Sequence, residues 1–354
     1  MARLFSPLTV KSVTFKNRIV VSPMCEYSSV DGFANDWHMV HLGSRAVGGA
    51  GLIITEASAV SPEGRISPQD LGIWKNAHVD KLKPIVAFMQ KHGAVAGIQL
   101  AHAGRKASFP APWQGTKQLA DDAGGWPTVA PSALPFHDAD KIPVALDAAG
   151  IRKVLDDFGE AARRALKAGF QLIEIHAAHG YLLHEFLSPL SNTRTDDYGG
   201  SFDNRCRLLL EIIDVVKTAW PADLPLFVRI SATDWTAGGW TAEDSVRLAG
   251  LLKEKAVDLV DCSTGGNVPA AKIPVAPNYQ VPFSAKIRQE AGILTGAVGM
   301  ITGAQQAEDI LERGEADLII MARELLREPY FPLHAAKALG VDVTWPEQYQ
   351  RAKL

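Results

Sequence analysis

The sequence predicts an α/β chain closed into a (β/α)8 TIM barrel, and three observations carry that expectation. Short β-branched apolar runs alternate with amphipathic helical stretches, the pattern of βα units feeding a parallel sheet. The runs number eight, which closes a barrel. A long segment of broken rhythm follows the third run, where a barrel rim accepts an insertion.

Taken in order, Leu8–Phe15 is expected to form an N-terminal hairpin that caps the barrel bottom. The strands are expected at Ile19–Met24, Gly51–Glu56, Ala94–Leu100, Gln171–His176, Leu224–Ile230, Val257–Cys262, Ile293–Val298 and Asp317–Met321. One connecting helix is visible in Ile151, Val154, Leu155, Phe158, Ala162, Ala165 and Leu166, which recur at spacings of three and four before Gly169 in the C-cap position. A second runs from Phe202 to about Thr218, with Ser201 as N-cap and Arg207 one turn from Glu211. Between them, residues 101–150 are rich in proline, glycine, aspartate and alanine. They read as an active-site lid or as a surface excursion, and Phe109, Trp113 and Trp126 are its bulky members.

Bulk properties bound the function. A chain of 354 residues, 47% hydrophobic and 21% charged, fits one globular domain over 1–354, and no apolar run is long enough to span a bilayer. The N-terminus carries no basic, apolar and small-residue series of a secretory signal. Three scattered cysteines, Cys25, Cys206 and Cys262, fit neither a disulfide framework nor a clustered metal site, so a cytoplasmic location is expected. A net charge of −3 without a basic stripe argues against nucleic acid and for a small-molecule ligand.

Catalytic groups of a barrel sit where strands end, and polar residues gather there. The first strand ends Ser22-Pro23-Met24-Cys25-Glu26-Tyr27, the third carries Gln99 ahead of His102 and Lys106, and the fourth ends His176-Ala-Ala-His179-Gly-Tyr181. Arg229 lies inside the fifth apolar run, where its charge needs either an external anion or a buried partner such as Glu174 or Asp261. His176 and His179 are open to three readings: metal ligands, donors to a substrate oxygen, or satisfied core residues. Tyr181 is a general acid or a packing residue. Gly296 to Gly303 after the seventh strand, and Ala322-Arg323 after the eighth, occupy the places where barrels bind phosphate, although the glycines could serve only as turns. No GxGxxG follows a strand, which disfavours a Rossmann site.

Five motifs in order give a family resemblance over nearly the whole chain: Asn17-Arg18 through Cys25, His102 through Lys106, His176 through Tyr181, Ser191-Asn192 through Asn204-Arg205, and Ala322-Arg323 through Pro329. The chain resembles the Old Yellow Enzyme family of FMN-dependent ene-reductases, and most closely its bacterial, thermophilic-like subclass. The resemblance implies an FMN across the barrel mouth, touched by Ser22, Pro23, Met24, Cys25, Ala57 and Gln99. Arg229 would face the flavin N1 and O2 edge, and Val298, Gly299, Ala322 and Arg323 would hold the phosphate. It implies ping-pong turnover, in which NADPH or NADH reduces the flavin and the flavin reduces an activated double bond. His176 and His179 would bind the substrate oxygen, Tyr181 would protonate the α-carbon, Cys25 would tune the flavin, and Tyr27 and Lys106 would position the ligand. In this subclass a C-terminal arginine enters a neighbouring subunit, so the 345–354 tail and Arg351 imply a homodimer or homotetramer.

Larger relatives with an iron–sulfur cluster need more cysteines than this chain has. A flavin-free lyase or hydrolase, using a metal on the two histidines or a Schiff base on Lys106, predicts a colourless protein. A flavin binder without turnover would lack Tyr181 or the histidine pair.

Overall fold

The computed structural model describes residues 2–353. Eight parallel strands form a closed barrel: β1 (Ile19–Val21), β2 (Leu52–Ala59), β3 (Val95–Ala101), β4 (Leu172–Ala177), β5 (Leu226–Ser231), β6 (Leu259–Ser263), β7 (Leu294–Ala297) and β8 (Leu318–Met321). They pair in chain order, and β8 closes on β1 through Met321 beside Val21. Each expected strand is present. The first is shorter than the sequence suggests and stops at Val21, so that Ser22 to Cys25 stand free of the sheet, with Pro23 unable to donate to a ladder.

Two apolar layers follow from strand alternation. Residues pointing outward from the strands meet the ring helices, where Ile151, Val154, Phe158, Ala162 and Ala165 of the helix Ala148–Ala168 are buried. That helix ends at Gly169 in the left-handed conformation (φ 92°), as a C-cap glycine does. The helix Phe202–Ala219 begins at Ser201, whose hydroxyl accepts from the Asn204 amide. Arg207 and Glu211 do not pair, because Glu211 accepts from the Tyr198 hydroxyl and Arg207 donates to the Asp197 carbonyl.

Inside the barrel, Val20, Leu52, Ile54, Val95, Leu172, Phe227 and Leu259 pack against Val10, Val13 and Phe15 of the antiparallel hairpin Leu8–Val10/Val13–Phe15. Phe15 meets Phe227 edge-on at 6.3 Å. The hairpin therefore plugs the N-terminal end and leaves the C-terminal mouth to the polar residues. Residues 101–150 cross the mouth side in short turns, with a two-residue parallel bridge between Val129–Ala130 and Val144–Ala145. Arg105, at the start of this segment, anchors it by donating to the Leu134 and Pro135 carbonyls. None of the described helices is long and apolar enough to cross a membrane.

Candidate active site

The floor of the mouth is a buried polar layer set by register. Gln99 of β3 lies beside Glu174 of β4, and Arg229 of β5 lies between His176 of β4 and Asp261 of β6. Gln99 Nε2 donates to Glu174 Oε1 at 2.8 Å, and Arg229 Nη1 donates to Ser22 Oγ at 3.1 Å. Arg229 Nε is 3.2 Å from Asp261 Oδ2, so the guanidinium does have a buried carboxylate partner, and its place in the strand does not by itself demand an external anion. The planar fork still has an edge directed along Ser22 toward the mouth, because only Nε is taken by the acid.

Above this layer, β4 ends in a turn that gathers His176, His179 and Tyr181. The His176 ring is 5.2 Å from both the His179 and Tyr181 rings. His179 (φ 60°) and Gly180 (φ 74°) are both left-handed, a conformation that costs the histidine and that glycine adopts freely. A Cβ at position 180 would lie 2.2 Å from the Gly266 carbonyl, so only glycine fits. The turn is pinned from three sides. The His179 amide donates to Ser231 Oγ at 2.9 Å, the Gly180 amide donates to His184 Nδ1 at 2.9 Å, and His184 Nε2 reaches Asp234 Oδ1 at 2.9 Å. Lys106 Nζ donates to the His179 and Gly266 carbonyls at 2.8 and 3.0 Å, and burial lowers its pKa to about 8. That amine is a tether within the protein.

Protonation states follow from burial. Burial first, and the Arg229 charge next, hold His176 and His179 well below the ordinary imidazole range. Each is a neutral ring with one N–H to give. His179 Nε2 is engaged with Ser263 Oγ at 2.7 Å, whereas His176 Nδ1 is buried without a partner among the described residues. Burial raises Tyr181 well above the usual phenol range, so it keeps its proton until a stronger base forms beside it.

The loop after β1 forms another wall. Tyr27 is left-handed (φ 48°), and its ring meets Trp113 of the 101–150 segment edge-on at 5.7 Å. Burial pushes the Cys25 thiol well up, so it is not a nucleophilic thiolate. A bulge between Thr55 and Ala57 of β2 turns Glu56 toward this loop, where Oε2 accepts from the Glu26 amide at 2.9 Å and Oε1 faces His38 Nε2 at 3.1 Å. Ala57, just past the bulge, sits level with Gln99.

Beyond β7 and β8 lies a cavity of about 250 Å³ lined by Arg229, Tyr279, Val298, Gly299, Ala322 and Arg323, among others. Gly299 has φ 136° and leaves room that a Cβ would fill against Gln280 at 3.2 Å. Arg323 is exposed at this rim and makes no ion pair among the described residues. Sequence reasoning missed Ser231 and Ser263, the last residues of β5 and β6, which inspection of strand ends would have found. It also missed Tyr279 and Gln280, which lie in a connection with no motif; Gln280 Nε2 holds the Val298 carbonyl at 3.1 Å. Arg351 is exposed on the turn Glu347–Ala352, where Gln350 donates to the Trp345 carbonyl, and it makes no hydrogen bond or ion pair with a mouth residue among the described residues.

The arrangement presents neutral donors and a protonated phenol above a cation, beside a cavity with a cationic rim. No three histidine, cysteine, aspartate or glutamate side chains converge on a metal-sized site among the described residues. The model of the NADH:flavin oxidoreductase / NADH oxidase family matches residues 3–341. An NADPH dehydrogenase of Geobacillus thermodenitrificans is 52% identical over 98% of this chain and 98% of its own, and one of Bacillus subtilis is 52% identical over 99% of each. Among solved structures, morphinone reductase in complex with tetrahydroNAD superposes with a TM-score of 0.79 at 27% identity, covering 97% of this chain and 92% of that one. The old yellow enzyme homologue from Zymomonas mobilis gives 0.79 at 28% identity, covering 97% and 94%. With the family model spanning nearly every residue of the barrel, the chain belongs to the NADH:flavin oxidoreductase / NADH oxidase family, the Old Yellow Enzyme oxidoreductases.

Proposed function

We propose that this enzyme is an FMN-dependent NAD(P)H:acceptor oxidoreductase that reduces activated C=C bonds of α,β-unsaturated carbonyl, maleimide or nitro compounds. One observation carries the reading: a neutral histidine pair and a protonated tyrosine meet within 5.2 Å ring spacings over a barrel mouth floored by Arg229. The residues fit FMN. The cavity past β7 and β8 combines an open Gly299 backbone with the Arg323 cation for a phosphate, and Gln99, Ala57, Arg229 and the Ser22–Cys25 backbone border the floor where a ring would lie. When bound, the flavin supplies hydride exchange between a nicotinamide and the electron-poor double bond.

In this reading the protein's own side chains divide the work. His176 and His179 donate N–H bonds to the substrate oxygen, which draws electron density from the β-carbon. Tyr181, packed against His176, delivers its proton to the α-carbon. Tyr27, with Lys106 tethering the turn, shapes the space above, and Cys25 adjusts the environment of the ring. Residues 101–150 act as a lid, supported by the Trp113 contact to Tyr27. The tail bearing Arg351 is exposed and available to a second copy, in keeping with a cytoplasmic homo-oligomer.

The test is an absorbance spectrum of the purified protein, before and after anaerobic NADPH, followed by cyclohexenone. A yellow protein that bleaches and then regains its colour carries out both half-reactions. A colourless protein that cannot be loaded with FMN ends this reading.

A further inference from the structure

Two carboxyl groups lie beneath the mouth that neither hydride transfer nor proton delivery uses: Glu174 on β4 and Asp261 on β6, both 0% exposed. Gln99 from β3 holds Glu174 Oε1, and Arg229 from β5 lies against Asp261 Oδ2. Glu174 Oε2 and both Asp261 carboxylate oxygens are buried with no hydrogen bond from any donor among the described residues, so a proton on one acid supplies the donor that the pair lacks. The charge count agrees. Two carboxylates against one guanidinium would leave a net negative charge in a dry interior, and a single proton restores neutrality.

The surroundings offer no other charge to balance the pair. Among the described residues Arg229 is the one cation acting on it; the segment after β1 contributes the Ser22 hydroxyl, and Val298 just past β7 and Leu318 and Ile320 of β8 add only apolar surface. His176, the next titratable group toward the mouth, is neutral. Burial first and Asp261 second raise Glu174 to about 8, with Arg229 opposing, and burial raises Asp261 as well.

We infer that Glu174 and Asp261 form one proton-sharing unit that sets the net charge around Arg229, and through Arg229 the reduction potential of the flavin. They are tuning residues that act through the guanidinium. The inference rests on the flavin placement proposed above. With one proton on the pair, Arg229 is matched by a single carboxylate, and the potential is held below what an unopposed guanidinium would give. At pH above the range where Glu174 gives up its proton, each reduction carries two electrons from the nicotinamide, one proton to the flavin and a second from solvent to the Glu174 carboxylate.

The measurement is the midpoint potential of the FMN-loaded enzyme, read against a reference dye at pH values on both sides of about 8. Glu174→Gln and Asp261→Asn each leave one ionisable acid beside Arg229 and shift the potential little. The double variant leaves Arg229 unopposed and raises the potential by more than the sum of the two single shifts. The wild-type potential falls more steeply with pH above about 8, and Glu174→Gln removes that steepening. Additive shifts, or a double variant that keeps its flavin at an unchanged potential, would overturn the shared proton. If the double variant fails to fold, the pH slopes of the wild type and Glu174→Gln decide on their own, and equal slopes count against the inference. A wild-type protein that binds no FMN fails the functional reading and takes this inference with it, whereas a yellow, reducible protein whose potential ignores the pair fails the inference alone.

Discussion

The two ends of this barrel are built from the same strands and differ in almost every other respect. At the N-terminal end the inward residues are Val20, Leu52, Val95, Leu172, Phe227 and Leu259, and the hairpin fills them with Val10, Val13 and Phe15. Two residues further along β4, β5 and β6, the inward positions become Glu174, Arg229 and Asp261; two further again, they become His176, Ser231 and Ser263. A period of two lets one strand serve both ends, with the packing cost of polar residues confined to the layer where a ligand can use them. The difference teaches that stability and chemistry are separated along the barrel axis, and substitutions should sort accordingly.

The largest effect on stability is expected in the plug. Phe15→Ala removes a fully buried ring from the hairpin cluster and should cost about 3–5 kcal/mol of unfolding free energy by denaturant melt. FMN affinity and both half-reaction rates of the folded fraction should stay near wild type. If hydride transfer collapsed in the folded fraction, the separation of the two ends would not hold.

At the other end the pattern reverses. Tyr181→Phe deletes one hydroxyl that makes no hydrogen bond among the described residues, so the melting midpoint should hardly move. Enone reduction should slow by about 10²-fold or more, the scale of a lost general acid, while flavin reduction by NADPH proceeds as before. Stopped-flow measurement of the two half-reactions separates these outcomes. Equal losses in both would reduce Tyr181 to a packing residue.

The same division explains what could be read from the sequence. The barrel was legible because eight β-branched runs each had to be buried on two faces, and the plug because alternating apolar residues preceded the first run. His176, His179, Tyr181 and Arg229 were legible because polar groups at or inside apolar strands are costly unless used. The Arg229–Asp261 pair remained one of several options, since which acid meets the guanidinium depends on strand register, and register is a property of the closed barrel. Tyr279 and Gln280 were invisible for a different reason. They belong to a loop that reaches the site only because the barrel brings β6 and β7 together, and no local pattern marks it. Likewise, the Glu56 bulge that anchors the Cys25–Tyr27 loop depends on pairing between β2 and β3 and leaves no trace in composition.

The smallest effect tests a third region, the outer ring of helices, which touches neither plug nor mouth. Ser201 caps the helix Phe202–Ala219 by accepting from the Asn204 amide at 3.2 Å in an exposed position. Ser201→Ala should therefore cost about 1 kcal/mol, the usual value of one lost N-cap, and leave enone reduction unchanged. This helix stacks Phe202 on Trp240, and the Trp240 amide donates to Asp234, the carboxylate that holds His184 beneath the His179–Gly180 turn. A path of contacts thus runs from the cap to Tyr181. An altered rate of proton delivery in Ser201→Ala, at unchanged flavin reduction, would mean that this path transmits strain and that the ring helices help to set the geometry of the mouth. A loss confined to stability would assign the ring, like the plug, to holding the barrel closed.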